Sequence, residues 1–124
     1  MILCDTNILI EFYKDNAEVK ATIKSIGVSN LAVSVVTVGE LYFNARDKRE
    51  LGKIQKHLAL LKQYPLDAES SQLFLPLIEK YVLSHRLSVP DALIAATAIR
   101  QGIPLYTFNI KDFHYIPGLE LYKP

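Results

Sequence analysis

A chain of 124 residues, half of them apolar and 22% charged, can form one domain with a hydrophobic core, and this composition excludes a disordered protein. Its 14 basic and 13 acidic residues leave a net charge of +1, so overall charge favours no class of partner. The single cysteine, Cys4, excludes an internal disulfide and a metal site built from several cysteines.

The amino-terminal segment lacks the basic region of a signal peptide, and an acid stands at position 5. No apolar run approaches the roughly 20 residues that a membrane span requires. We therefore expect a single domain over residues 1–124 in a soluble, cytoplasmic protein without a membrane partner.

Short strands and helices alternate along the first half of the chain. Residues 2–4 are an apolar run that predicts a strand. Residues 7–13 and 16–26 predict two helices, and Gly27 ends the second. The β-branched stretch 31–36 predicts a second strand.

Thr37 begins the next predicted helix. Val38, Leu41, Tyr42 and Ala45 follow at the spacing of one apolar helical face. Tyr42 and its neighbour Phe43 are interpreted as core residues in preference to base-stacking groups.

The second half continues the alternation, and its most apolar segment is a helix opened by Pro90. That helix is apolar on nearly every side, so we expect it to be buried. The predicted elements are helices over 49–62, 68–86 and 91–101, and short strands over 64–66, 105–107 and 120–122. Strands that alternate with helices predict an α/β fold with a short parallel β-sheet flanked by helices.

Acidic residues follow several of these predicted strands. Asp5 comes directly after the first strand, Glu40 follows the second, Asp91 opens the buried helix, and Asn109 and Asp112 follow the strand at 105–107. Because the carboxyl ends of parallel strands meet at one edge, where ligands bind in such folds, these side chains are expected to converge on one cleft.

Each acid also has a structural explanation. Asp5 or Thr6 could cap the following helix, and Thr37 with Glu40 fits a capping box. Asp91 beside Pro90 would complement a helix dipole, and Asp112 could be a turn residue.

Convergence of the acids requires a positive charge. Two carboxylates about 5 Å apart repel by roughly 3 kcal/mol at an effective dielectric of about 20. No Lys or Arg adjoins Asp5, Glu40 or Asp91 in the sequence. Oxygen ligands without a cluster of His or Cys favour Mg²⁺, with Mn²⁺ as a substitute, and such metals serve phosphodiester hydrolysis by an activated water.

The sequence resembles the PIN-domain ribonucleases, and specifically the VapC-type toxins of bacterial and archaeal toxin–antitoxin pairs. The resemblance lies in three stretches, in order: MILCDTNILI, TVGELYFNARDKREL and LSVPDALIAATAIRQGIPLYTFNIKDFHYIPGLELY. It implies a three-layer fold with an acidic Mg²⁺ site and endonucleolytic cleavage of RNA. It also implies a homodimer, inhibited by a small VapB-like antitoxin that inserts a segment into the cleft.

The resemblance assigns the site residues as follows. Asp5, Glu40 and Asp91 match the first three acids of the family and would hold the metal, with Thr6 and Asn7 as supporting polar residues. The family often has Asp where this chain has Asn109, and here an acid comes three residues later, as Asp112. Either residue could complete the site, and Thr107 is a nearby supporting hydroxyl.

A basic segment follows the second acid. Six of the residues between 46 and 62 are Lys or Arg, against Asp47 and Glu50. Arg46 and Arg49 are the first candidates for RNA contacts, and a solvated helix face is the alternative.

Two other functions fit the same residues. An Asp after the first strand of an α/β fold could be the covalent nucleophile of a phosphatase, although such enzymes usually place a second Asp where this chain has Asn7. The departure at Asn109 would also suit a non-catalytic module that binds RNA or a partner protein.

Overall fold

The computed structural model describes residues 1–124 as a four-stranded sheet covered by helices. The strands are β1 (Ile2–Cys4), β2 (Leu31–Ser34), β3 (Lys62–Tyr64) and β4 (Leu105–Tyr106). The helices are α1 (Thr6–Tyr13), α2 (Ala17–Ile26), α3 (Val35–Phe43), α4 (Lys48–Leu58), α5 (Ala68–His85), α6 (Val89–Gln101) and α7 (Ile110–Phe113), with a 3₁₀ turn at Val28–Asn30.

All strand pairs are parallel, in the order β3-β2-β1-β4. β1 is central, since Leu3 aligns with Ala32 of β2 on one side and with Leu105 of β4 on the other. Parallel pairing brings the carboxyl ends of the strands to one edge, so the residues after β1, β2 and β4 become neighbours.

The sheet separates two hydrophobic cores, because successive side chains of a strand point to opposite faces. Cys4 belongs to the core formed with α1 to α4, while its neighbour Leu3 belongs to the core formed with α5, α6 and α7. The predicted α/β fold, with three layers and a short parallel sheet flanked by helices, is confirmed. None of the helices combines the length and the apolar character needed to cross a membrane.

The boundary between β2 and α3 differs from the prediction. Val35 and Val36 favour a strand, but the Ser34 hydroxyl accepts the N–H of Val36 at 2.9 Å and caps a helix that already begins at Val35. Thr37 therefore lies inside α3, and the capping box with Glu40 is wrong. Phe43 is 88% exposed and Tyr42 is 37% exposed, so the assignment of both to the core is also wrong.

Three further boundaries shift. The helix predicted over 49–62 ends at Leu58, because the chain turns there into β3, which comes earlier than the predicted strand at 64–66. Ser88 caps α6, so Pro90 is its second residue and not its first. The strand predicted at 120–122 is reduced to one bridge between Leu105 and Leu121.

Candidate active site

Asp5 is the residue that links β1 to α1. Its backbone is extended, and its Oδ1 accepts the N–H of Thr6 at 2.7 Å, so it caps α1 as one of the structural explanations proposed. Its Oδ2 accepts the hydroxyl of Thr107, which follows β4, also at 2.7 Å. The residue is 4% exposed, so capping alone leaves a buried charge to be explained.

The surroundings of Asp5 oppose its ionisation. Burial raises the pKa of its carboxyl, the hydrogen bonds from Thr107 and Thr6 partly offset that effect, and the charges of Glu40 and Asp112 raise the pKa further. A positive charge placed beside Asp5 would reverse this balance.

Glu40 contacts Thr6, the residue that follows Asp5. The hydroxyl of Thr6 donates to Oε1 of Glu40 at 2.7 Å and lies 3.1 Å from the hydroxyl of Thr37. Because a hydroxyl carries one proton, Thr37 is the donor to Thr6 in this chain of hydrogen bonds. Glu40 is therefore oriented towards the end of β1, and its Oε2 makes no hydrogen bond.

Asp91 stands in the first turn of α6, where the helix dipole favours an acid. Its N–H donates to the Ser88 hydroxyl at 3.3 Å. Partial burial raises the pKa of Asp91 to about 6, and the charges of Asp5, Asp112 and Glu40 add to the rise, while a hydrogen bond with Ser88 opposes it. Asp91 thus shares its electrostatic environment with the other acids.

Asp112 belongs to the same group of acids. The backbone of Asn109 contacts Thr107, which is the partner of Asp5. Asp112 is exposed on α7, and its charge raises the pKa of both Asp5 and Asp91. The N–H of Asn109 donates to Thr107 at 3.0 Å, while its own side chain makes no capping bond. Asn7 contacts the same loop, since its Oδ1 accepts the N–H of Phe108 at 3.4 Å.

We call the carboxylates of Asp5, Glu40, Asp91 and Asp112 the acidic cleft. No ion pair involves any of them, since the pairs join Lys20 to Asp15, Arg46 to Glu50, and Arg100 to Asp67 and Glu69. No group of three or more His, Cys, Asp or Glu side chains is arranged so that it could hold a metal ion. The donor chemistry nevertheless fits Mg²⁺, which binds through one or two carboxylates and keeps its waters.

The basic segment lines an open groove of about 980 Å³ between α1, α3 and α4. Arg46 pairs with Glu50 at 2.9 Å, whereas Arg49 makes no ion pair. We define the basic groove by its cationic side chains, Lys14, Arg46, Arg49 and Lys53.

Two residues of the site, Ser88 and Tyr115, were missed in the sequence, and a third, Thr37, was given a different role. Thr37 supports Thr6 from inside α3, and Ser88 caps α6 beside Asp91. The hydroxyl of Tyr115 is buried without a hydrogen-bond partner, and the charges of Asp112 and Asp91 raise its pKa in addition to burial. Only Ser88 carried a signal, because a Ser three residues before an acid near a helix-opening proline is typical of an N-cap.

The three-layer fold with a parallel sheet, and with acids after its strands, is that of a known class of protein. The family model described as PIN domain matches residues 2–119, so the chain belongs to the PIN domain family. Within it, the chain is a VapC-type member. It is 31% identical to Ribonuclease VapC10 of Mycobacterium tuberculosis, over 100% of this chain and 92% of that protein.

Two further comparisons agree. Ribonuclease VapC of Rickettsia bellii is 27% identical over 97% of this chain and 93% of its own length. A solved structure described as a toxin-antitoxin complex from Klebsiella pneumoniae superposes with a TM-score of 0.83, at 27% identity and with both chains fully covered.

Proposed function

We propose that this protein is the toxin component of a type II toxin–antitoxin system and acts as a Mg²⁺-dependent endoribonuclease. The acidic cleft carries the proposal, because the charges of its acids raise the pKa of Asp5 and of Asp91 and no protein cation pairs with them. The names of the relatives support it, since two are called ribonucleases and one structural neighbour is a toxin-antitoxin complex.

Asp5, Glu40 and Asp91 are the residues that would hold Mg²⁺, with Mn²⁺ as a substitute. When bound, the metal supplies a water of lowered pKa and neutralises charge on the phosphodiester. Thr6 and Thr107 keep the Asp5 carboxylate in one orientation through bonds of 2.7 Å each. Glu40 is fixed through Oε1, which leaves Oε2 free to accept a proton from the attacking water.

Asp112 completes the acidic side of the site in this proposal, and Asn109 holds the loop after β4. The exposed position of Asp112 suits a group that contacts a hydrated metal or substrate. The side chain of Asn7, in the first turn of α1, accepts the N–H of Phe108, and the N–H of Asn109 donates to the Thr107 hydroxyl within the loop.

The basic groove is proposed as the surface for the RNA backbone. Arg49 has no ion-pair partner and is free to contact a phosphate, while Arg46 would have to exchange Glu50 for one. Both residues lie outside the acidic cleft, so they would raise RNA affinity without taking part in bond cleavage.

The proposal extends to partners. A VapB-like antitoxin would occlude the acidic cleft, and the toxin would form a homodimer in the cytoplasm, where RNA is available. A phosphatase mechanism is disfavoured because Asn7 stands where enzymes with an Asp nucleophile usually place a second Asp.

The test is cleavage of total RNA by the wild-type protein and by Asp5→Asn and Asp91→Asn, with Mg²⁺, with Mn²⁺ and with EDTA. We expect metal-dependent cleavage that falls at least about 100-fold in either variant, because each removes a charge that acts on the reacting centre. Circular dichroism checks folding, and calorimetry checks that the variants lose Mg²⁺ binding. Folded wild-type protein that neither binds Mg²⁺ nor cleaves RNA would refute the proposal.

A further inference from the structure

Two large apolar side chains lie exposed next to the acidic cleft. Phe108 is 49% exposed and Ile110 is 55% exposed, on either side of Asn109. Single exposed apolar residues are common on protein surfaces and need no explanation. The exposure of Phe108 does need an explanation, because hydrogen bonds fix the loop that carries it beside the acidic cleft.

The backbone around Phe108 is fixed at two points. Its own N–H donates to Asn7, and the N–H of Asn109 donates to the Thr107 hydroxyl, which in turn donates to Asp5. The ring of Phe108 also meets that of Tyr106 edge-to-face, with 6.5 Å between the centroids. The loop therefore presents an aromatic ring in a fixed position, one residue from the partner of Asp5.

A cavity of about 510 Å³ lies beneath this ring, between α2, the end of β4 and the carboxyl-terminal segment. We name it the aromatic pocket after the rings of Tyr106, Phe108 and Tyr122 that line it, and it reaches Thr107. Its charged residues are one acid, Glu18, and one base, Lys123. Aromatic walls with balanced charge suit a flat neutral group and not a phosphate.

We propose that the aromatic pocket receives an unstacked base of single-stranded RNA, from a nucleotide next to the scissile phosphate, with Phe108 as the stacking surface. The inference rests on the proposed ribonuclease function, since it assigns a substrate contact to that site. Recognition of single-stranded RNA relies on bases stacked on aromatic side chains, and every base offers such a face. A base held there would leave its phosphate at the acidic cleft.

The first experiment uses Phe108→Trp, because the chain contains no tryptophan and the new indole is the sole one. In an Asp91→Asn background, which prevents cleavage, a random-sequence single-stranded oligoribonucleotide should quench its fluorescence. An abasic ribose-phosphate strand of equal length should not. Leu83→Trp is the control, because Leu83 is 86% exposed on α5 and lines neither the aromatic pocket nor the basic groove, and its emission should not change.

The second experiment separates stacking from general apolar contact. Phe108→Ala and Phe108→Leu should each weaken binding of the same oligonucleotide about tenfold by fluorescence anisotropy, because neither side chain has an aromatic face. The loss should appear in KM and not in kcat. Phe108 is half exposed, so neither change opens a core.

The outcomes distinguish this inference from the proposed function. Wild-type cleavage with an unquenched Phe108→Trp, or wild-type affinity in Phe108→Leu, overturns the base pocket and leaves the ribonuclease intact. Base-dependent quenching without any cleavage supports the pocket and refutes the ribonuclease. Failure to bind RNA refutes both. Emission that changes with an inhibitory partner protein, and not with RNA, overturns the inference in favour of a protein-binding surface.

Discussion

The acidic cleft has two walls, a sheet wall that carries Asp5 and an α6 wall that carries Asp91. The two walls hold their carboxylates in opposite ways. On the sheet wall, Asp5 is buried and both of its oxygens accept hydrogen bonds, from Thr6 and from Thr107. On the α6 wall, Asp91 is only partly buried, and Ser88 provides the hydrogen bonding that lowers its pKa. Charges from the same cluster of acids raise the pKa of both residues.

This difference indicates that Asp5 and Asp91 have different roles. Asp5 is both a structural cap and a member of the cleft, so its position is fixed by the fold. Asp91 is not the cap of its helix, and the charges of the neighbouring acids oppose its ionisation in the metal-free protein. An acid whose pKa is raised by neighbouring acids is a candidate for function.

The largest expected effect on stability comes from removing one hydrogen bond to Asp5, which makes the sheet wall resemble the α6 wall. Thr107→Val keeps the shape of the side chain but removes the hydroxyl that donates to Asp5. We expect a loss of about 2 kcal/mol in the free energy of unfolding, because a buried carboxylate is left with an unpaired oxygen. Urea denaturation measures it. Thr107→Ser, which keeps the hydroxyl, should lose less than half as much, and equal losses would show that packing matters instead.

A smaller and opposite effect is expected on the α6 wall. The pKa of Asp91 is about 6 in the folded protein against 3.8 in the unfolded chain, so the folded state keeps its proton longer. Without divalent cations, the contribution of Asp91 to wild-type stability should fall as pH rises from about 4 to about 6.

Asp91→Asn removes that titration. We expect it to be more stable than wild type by about 1 kcal/mol at pH 7.5, after discounting for the exposed part of the side chain, and equally stable near pH 4. Thermal unfolding at both values, in EDTA, checks this. A variant that is less stable at pH 7.5 would show that Asp91 has a structural role, and the contrast between the walls would fail.

The smallest expected effect is on the cap of α6. The bond from Asp91 to Ser88 is long, at 3.3 Å, and exposed, so Ser88→Ala should lower stability by only about 0.5 kcal/mol. The same change should raise the pKa of Asp91, measured by NMR titration of its carboxyl group. Ser88→Thr keeps the cap and should leave that pKa where it is; a shift in Ser88→Thr as large as in Ser88→Ala would contradict the assignment.

The sequence predicted the layered fold and the convergence of the acids, because both follow from parallel strands that alternate with helices. It could not decide between Asn109 and Asp112. That choice depends on the orientation of the four-residue helix α7, which no periodicity reports. The pair Thr37 and Glu40 was misread for a related reason, since their spacing fits a capping box equally well inside a helix.

Other errors arose where neighbouring residues overrode the secondary structure that a segment prefers by itself. Two consecutive valines favour a strand, but the Ser34 cap turned them into the first turn of α3. The apolar run of α3 was extended to Phe43, although the helix ends there and the ring faces outwards. Phe108 was overlooked because its importance lies in the anchoring of its loop and not in any motif.

The hydrogen bond between Asp5 and Thr107 joins residues 102 positions apart, and it has a consequence during synthesis. The ribosome delivers Asp5 and Glu40 long before Asp91, Thr107 and Asp112 exist. Domains fold as units while they are made, so an incomplete chain has the first carboxylates but not the wall that orients them. The acidic cleft is therefore assembled only after residues as late in the chain as Asp112 have been synthesised.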